Sequence, residues 1–111
     1  MIEKGDFLLV PFPFSDQSGR KVRSVIVLSN NEFNKNSEDI IVVGVTSNSL
    51  KGKYTIELSS KDLDEGKLMT KCYIKIENIL KLNKELIIKK IGKINSRTDN
   101  LILNKLLEII K

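Results

Sequence analysis

Histidine is absent from this 111-residue chain, and cysteine occurs once, at Cys72. The first absence removes the commonest general acid–base residue and the commonest metal ligand. The second leaves no internal disulfide and no zinc-ligand spacing, and it fits a reducing compartment. Neither a Gly-x-x-x-x-Gly-Lys-[Ser/Thr] phosphate cradle nor a Gly-x-Gly-x-x-Gly fingerprint is present. Enzymes built on a thiol, on histidine or on a nucleotide cofactor are thereby disfavoured. No apolar run approaches the ~18–20 residues of a membrane span, and the opening Met-Ile-Glu-Lys-Gly-Asp has no signal-peptide core. A cytoplasmic protein without a membrane partner is expected.

With 41% hydrophobic and 30% charged residues, the composition is that of a globular domain. Its length suits one domain, 1–111, rather than two. No repeat or low-complexity linker divides it. The net charge of +5 is concentrated late: residues 56–111 carry 12 basic and 8 acidic side chains, against 7 and 6 before them. A positive field of this kind favours polyanions, although a solvated lysine-rich surface explains it equally well.

Apolar runs rich in β-branched residues recur at 7–12, 25–29, 40–46, 54–58 and 73–80, between polar clusters. Residues 40–46 are apolar almost throughout and read as a strand buried on both faces. Leu101, Ile102, Leu106, Ile109 and Ile110 recur at helical spacing behind Ser96, a candidate N-cap with Asp99 three residues on. Short helical turns are expected near 60–65 and 83–89. Strands first and a helix last predict a mainly β architecture, a small barrel or strongly bent sheet capped by a C-terminal helix.

The side chains left for chemistry are arginine, hydroxyl, lysine and carboxylate groups at strand ends. Such a set is sufficient for cleaving RNA, whose 2′-hydroxyl supplies the nucleophile; the protein must orient it, stabilise the phosphorane and move protons. No metal or other cofactor is required. Arg23 can grip two phosphate oxygens at once. Thr46, Ser47 and Asn48, where the buried strand ends, offer hydroxyl and amide groups that can bind a phosphate or a sugar hydroxyl. Lys75 and Glu77 lie two apart in one strand, so alternation sets both on one face with Tyr73 and Ile79, and sets Ile74, Ile76 and Asn78 on the other. Asp16, Gly19, Arg20 and Lys21 form a hairpin tip able to fold over a nucleic-acid backbone. Each has an ordinary alternative as a surface arginine, loop-opening polar residues, a solvated ion pair or a solubilising turn.

Taken jointly, these positions resemble the PemK/MazF toxins of toxin–antitoxin pairs. The resemblance is strongest in Lys4-Gly5-Asp6, Pro11-Phe12-Pro13-Phe14-Ser15-Asp16, and Gly19 through Lys21-Val22-Arg23 to Val25-Ile26-Val27-Leu28-Ser29. Ile41-Val42-Val43-Gly44-Val45-Thr46-Ser47 and Ile76-Glu77-Asn78-Ile79 look like two later strands of that family. The resemblance implies an SH3-like barrel paired into a homodimer, and sequence-specific, metal-independent cleavage of single-stranded RNA to 2′,3′-cyclic phosphate and 5′-hydroxyl ends. It further implies an antitoxin whose acidic, disordered tail competes for the RNA groove. Arg23, Thr46 and Glu77 map onto catalytic positions. Asp16, Gly19, Arg20, Lys21, Ser47, Lys75 and Asn78 are carried over as RNA-binding. Ser24 departs from the family's usual proline, which leaves the arginine less constrained by its neighbour. Two other readings stay open: a non-enzymatic gyrase inhibitor like the CcdB poisons, which resemble the same fold, and a catalytically impaired relative that binds only RNA or antitoxin.

Overall fold

The computed structural model describes residues 1–11, 22–48 and 52–111. Seven strands, β1 (Asp6–Pro11), β2 (Val22–Val27), β3 (Asp39–Thr46), β4 (Thr55–Leu58), β5 (Leu63–Glu65), β6 (Cys72–Asn83) and β7 (Lys89–Ile94), form one sheet. The spatial order is β4-β6-β3-β2-β1-β7-β5, and the paired neighbours run antiparallel. The sheet curls, so that Leu58 of one edge strand and Leu63 of the other pack on the same apolar cluster. Two helices complete it: α1 (Asn31–Asn36) and α2 (Ser96–Ile110). This is the small β architecture with a closing helix that the residue pattern predicts. Among the described residues no helix is long and apolar enough to cross a membrane.

Strand β3 is central, and its composition follows from burial on both faces. Ile40 and Val42 pack with Leu8, Val10, Val25, Val27 and Leu82 on one face. Val43 and Val45 join Phe7, Ile26, Ile74, Ile76 and Ile102 on the other. The expected turns appear at Ser60–Asp62 and Lys84–Leu86. Helix α2 starts one residue earlier in its capping than Ser96 suggests: the Asn95 side chain is the cap and accepts the Thr98 backbone N–H at 2.9 Å. Of its apolar residues, Ile102 is buried and Leu106 packs partly on the core, whereas Leu101 and Ile110 face outward.

Strands β5 and β7 and helix α1 are not evident from periodicity. In β7, Lys-Lys-Ile-Gly-Lys-Ile, charge outnumbers β-branched residues, so the strand is imposed by its pairing with β1 and β5. A glycine makes that pairing possible. Gly66 has φ +90°, and a Cβ there would sit 2.4 Å from the Ile91 carbonyl oxygen.

The Gly-Asp pair before β1 is a structural corner. Gly5 adopts φ +88°, donates its N–H to the Val27 carbonyl at 2.9 Å and accepts the Ile94 N–H at 3.0 Å. Asp6 is fully buried, and its Oδ2 accepts the Glu3 backbone N–H at 2.9 Å. Its Oδ1 makes no hydrogen bond but faces the Lys90 ammonium at 3.3 Å. Lys90 also reaches Glu65 at 3.2 Å, and Lys93 pairs with Glu3 at 2.6 Å. These contacts raise the pKa of both lysines, and Lys93 holds the Glu3 carboxyl below the ordinary glutamate value.

Candidate functional site

At the other end of β1, away from this corner, a cavity of about 490 Å³ opens on the face that carries Val10, Val25 and Leu82. Arg23 from β2, Thr46 and Asn48 from the end of β3, and Lys75, Glu77 and Asn78 from β6 converge on it. The strand register explains the convergence. Ser24 lies opposite Val45, and the same register continued one residue sets Arg23 beside Thr46. Gly44 lies opposite Lys75. One sheet face is therefore apolar at one end, where it makes core, and polar at the other, where it lines the cavity.

A bulge in β6 determines the rest. Val43 is opposite Ile79 but Gly44 is already opposite Lys75, so Ile76, Glu77 and Asn78 are looped out of the ladder. Glu77, Asn78 and Ile79 are consequently exposed in succession rather than alternately. Simple alternation sends Asn78 to the far face; the bulge corrects this and turns it into the cavity beside Glu77. Asn78 lies over Gly44, where an added Cβ would meet its Cβ at 3.4 Å.

The chemistry on offer is that of guanidinium, ammonium, carboxylate, amide and hydroxyl groups. Thr46 Oγ1 accepts the Asn48 backbone N–H at 3.1 Å, which fixes the hydroxyl and leaves its own hydrogen available to a ligand oxygen. Lys75 and Glu77 share the cavity yet form no ion pair among the described residues. Ser24 does not loosen the arginine as its departure from proline suggests. It is paired with Leu9 on one side and Val45 on the other, so the ladders hold the Arg23 backbone extended. Among the described residues no group of three histidine, cysteine, aspartate or glutamate side chains is placed to hold a metal. The Cys72 thiol packs against the core on the opposite face, and burial pushes its pKa up, so it takes no part.

Of the predicted residues, Arg23, Thr46, Lys75, Glu77 and Asn78 come together. Ser47 is exposed and does not line the cavity, because alternation after Thr46 turns it toward the other face. Asp16, Gly19, Arg20 and Lys21 lie outside the described residues. Asn48, the amide of the polar run Thr46-Ser47-Asn48, lines the cavity with Thr46.

The model of a family described as PemK-like, MazF-like toxin of type II toxin–antitoxin systems matches residues 3–110. No curated protein matches the chain. Among solved structures, an endoribonuclease in complex with its cognate antitoxin from a mycobacterial species superposes with a TM-score of 0.80 at 18% identity, covering 99% of this chain and 95% of that one. The MazE–MazF complex of Deinococcus radiodurans gives 0.79 at 14% identity, covering 98% and 95%. The Mycobacterium tuberculosis toxin MazF-mt6 gives 0.76 at 10% identity, covering 95% of each chain. At these identities the superpositions speak for the fold.

Proposed function

The chain belongs to the PemK-like, MazF-like toxin family of type II toxin–antitoxin systems, and from that premise we propose that it is a metal-independent endoribonuclease cutting single-stranded RNA. One observation carries the reading. Arg23, Thr46, Lys75, Glu77 and Asn78, far apart in sequence, line one cavity whose polar groups match the needs of 2′-hydroxyl attack. Arg23 grips the non-bridging phosphate oxygens and stabilises the phosphorane. Thr46 donates its free hydroxyl hydrogen to one of those oxygens.

Glu77 accepts the proton of the 2′-hydroxyl as its oxygen bonds to phosphorus. The bond from phosphorus to the 5′-oxygen breaks, and that oxygen takes a proton from the Lys75 ammonium. Of the two cations that the described residues bring to the cavity, a lysine gives up its proton more readily than an arginine. The products are a 2′,3′-cyclic phosphate and a 5′-hydroxyl. Asn78 offers an amide to a base edge. The partners in this reading are a second copy of the chain and an antitoxin with an acidic, disordered tail, which the two cations would attract; the compartment is the cytoplasm.

The test is to incubate the purified chain with a long unstructured RNA in EDTA and to map the product ends, with Arg23→Ala alongside. Cyclic-phosphate ends at a recurring short motif, lost in the variant, are expected. Intact RNA, or equal cutting by the variant, would overturn the reading. Arrested gyrase–DNA complexes with intact RNA would instead support a CcdB-like poison.

A further inference from the structure

Tyr73 is used by neither apolar core. Its neighbours Cys72 and Ile74 pack on the cluster under α2, so alternation along β6 directs Tyr73 to the opposite face, the one that carries the cavity. There it joins no part of the second cluster. It is half-buried, and its hydroxyl makes no hydrogen bond among the described residues. Its position in the sheet is specific: Tyr73 lies directly opposite Thr46 on one side and Glu57 on the other. Directly opposed side chains in antiparallel strands stand about 5 Å apart at Cβ, so the ring borders the hydroxyl that faces the reacting phosphate.

Charge completes the arrangement. Lys75, the same-face neighbour of Tyr73 within β6, lines the cavity, and Lys71, just before the strand, is ion-paired with Glu57 at 3.4 Å at the sheet's edge. An aromatic ring beside an ammonium group that lines a phosphate site is the combination by which proteins track a single strand: cations follow the backbone while a base stacks on the ring. A tyrosine kept only for stability would be expected inside one of the two clusters or with its hydroxyl satisfied.

We propose that Tyr73 is the stacking platform for the nucleobase next to the scissile phosphate, so that the substrate strand leaves the cavity along β6 toward Lys71. The proposal deepens the endoribonuclease reading and rests on its placement of Thr46 at the phosphate. Tyr73 positions the substrate and takes no part in proton transfer. Because every base has an aromatic face, the contact supports binding without dictating sequence.

The experiment uses the full chain carrying Tyr54→Phe, which leaves Tyr73 the sole tyrosine in a protein without tryptophan. The probes are single-stranded oligodeoxyadenylate, which lacks the 2′-hydroxyl and is not cut, and a strand of equal length made of abasic sugar-phosphate units. Saturable quenching of tyrosine emission by oligodeoxyadenylate but not by the abasic strand is expected. Tyr73→Ala should weaken oligodeoxyadenylate binding about 5- to 150-fold while leaving affinity for the abasic strand unchanged, and Tyr73→Phe should restore it. Unquenched emission on binding, equal losses on both probes, or Phe as damaging as Ala would overturn the proposal. A chain that binds and is quenched but leaves RNA intact keeps the Tyr73 assignment and sinks the endoribonuclease reading. A chain that binds neither probe sinks both.

Discussion

Two clusters of charged side chains lie near opposite ends of β1, and they are built on opposite terms. At the Gly5–Asp6 corner, Glu3, Asp6, Glu65, Lys90 and Lys93 are matched at 2.6–3.3 Å, and the carboxylate at their centre is fully buried. At the cavity, Lys75 and Glu77 stand side by side without pairing, and Thr46 is fixed with its hydrogen unspent. The first cluster spends its charge on itself and ties β1 to β5 and β7. The second sets Lys75, Glu77 and the Thr46 hydroxyl against an apolar floor, with no ion pair between the lysine and the glutamate among the described residues. Opposite charges close together therefore do not mark function by themselves.

The sharpest way to break this contrast is to exchange the consequences. Arg23→Ala should reduce RNA cleavage about 10²- to 10³-fold, the usual cost of removing a donor aimed at a developing oxyanion. Any shift in its urea unfolding midpoint should be too small to account for that loss. An unfolding shift that accounts for the lost activity would place Arg23 in the structural class instead. Thr46→Val should cost about 10- to 100-fold in rate, since it removes a hydrogen bond to a charged acceptor. Thr46→Ser should retain most of the rate, because the hydroxyl remains.

Asp6→Ala should do the reverse. Leaving the Glu3 N–H and Lys90 without their buried acceptor should lower unfolding free energy by about 1–3 kcal/mol, with cleavage by the folded fraction unchanged. The smallest effect belongs to Glu3. Lys93 hydrogen-bonds its carboxylate and holds its folded pKa below the ordinary value, so this pair's contribution is present above that value and is lost as pH falls through the lower one. In Glu3→Gln, acid titrations of stability should lose that segment of the slope, and the two proteins should converge at low pH. The Glu3 side chain is 44% exposed, and the difference is correspondingly slight.

The opening motif shows how mixed a sequence signal can be. Gly5-Asp6 and Arg23 carry the same family resemblance, yet the first pair is a corner that binds strands together and the second points into the cavity. Nothing in residue type separates a buried structural aspartate from a reactive one. Lysine-rich β7 was illegible for a related reason: its strand conformation comes from partners distant in sequence, not from its own composition.

By itself the sequence limited the side chains available for chemistry to a histidine-free set of arginine, hydroxyl, lysine and carboxylate, and it determined the doubly buried strand β3 and the closing helix. Local composition is enough for these, because periodicity reports burial directly. Only the tertiary structure decided which polar residues meet. Antiparallel register sets Arg23 beside Thr46 and Lys75 opposite Gly44, and the β6 bulge turns Asn78 from one face of the sheet to the other. Register and bulges are settled by pairing between strands far apart in the chain, so a single strand read alone carries no trace of them.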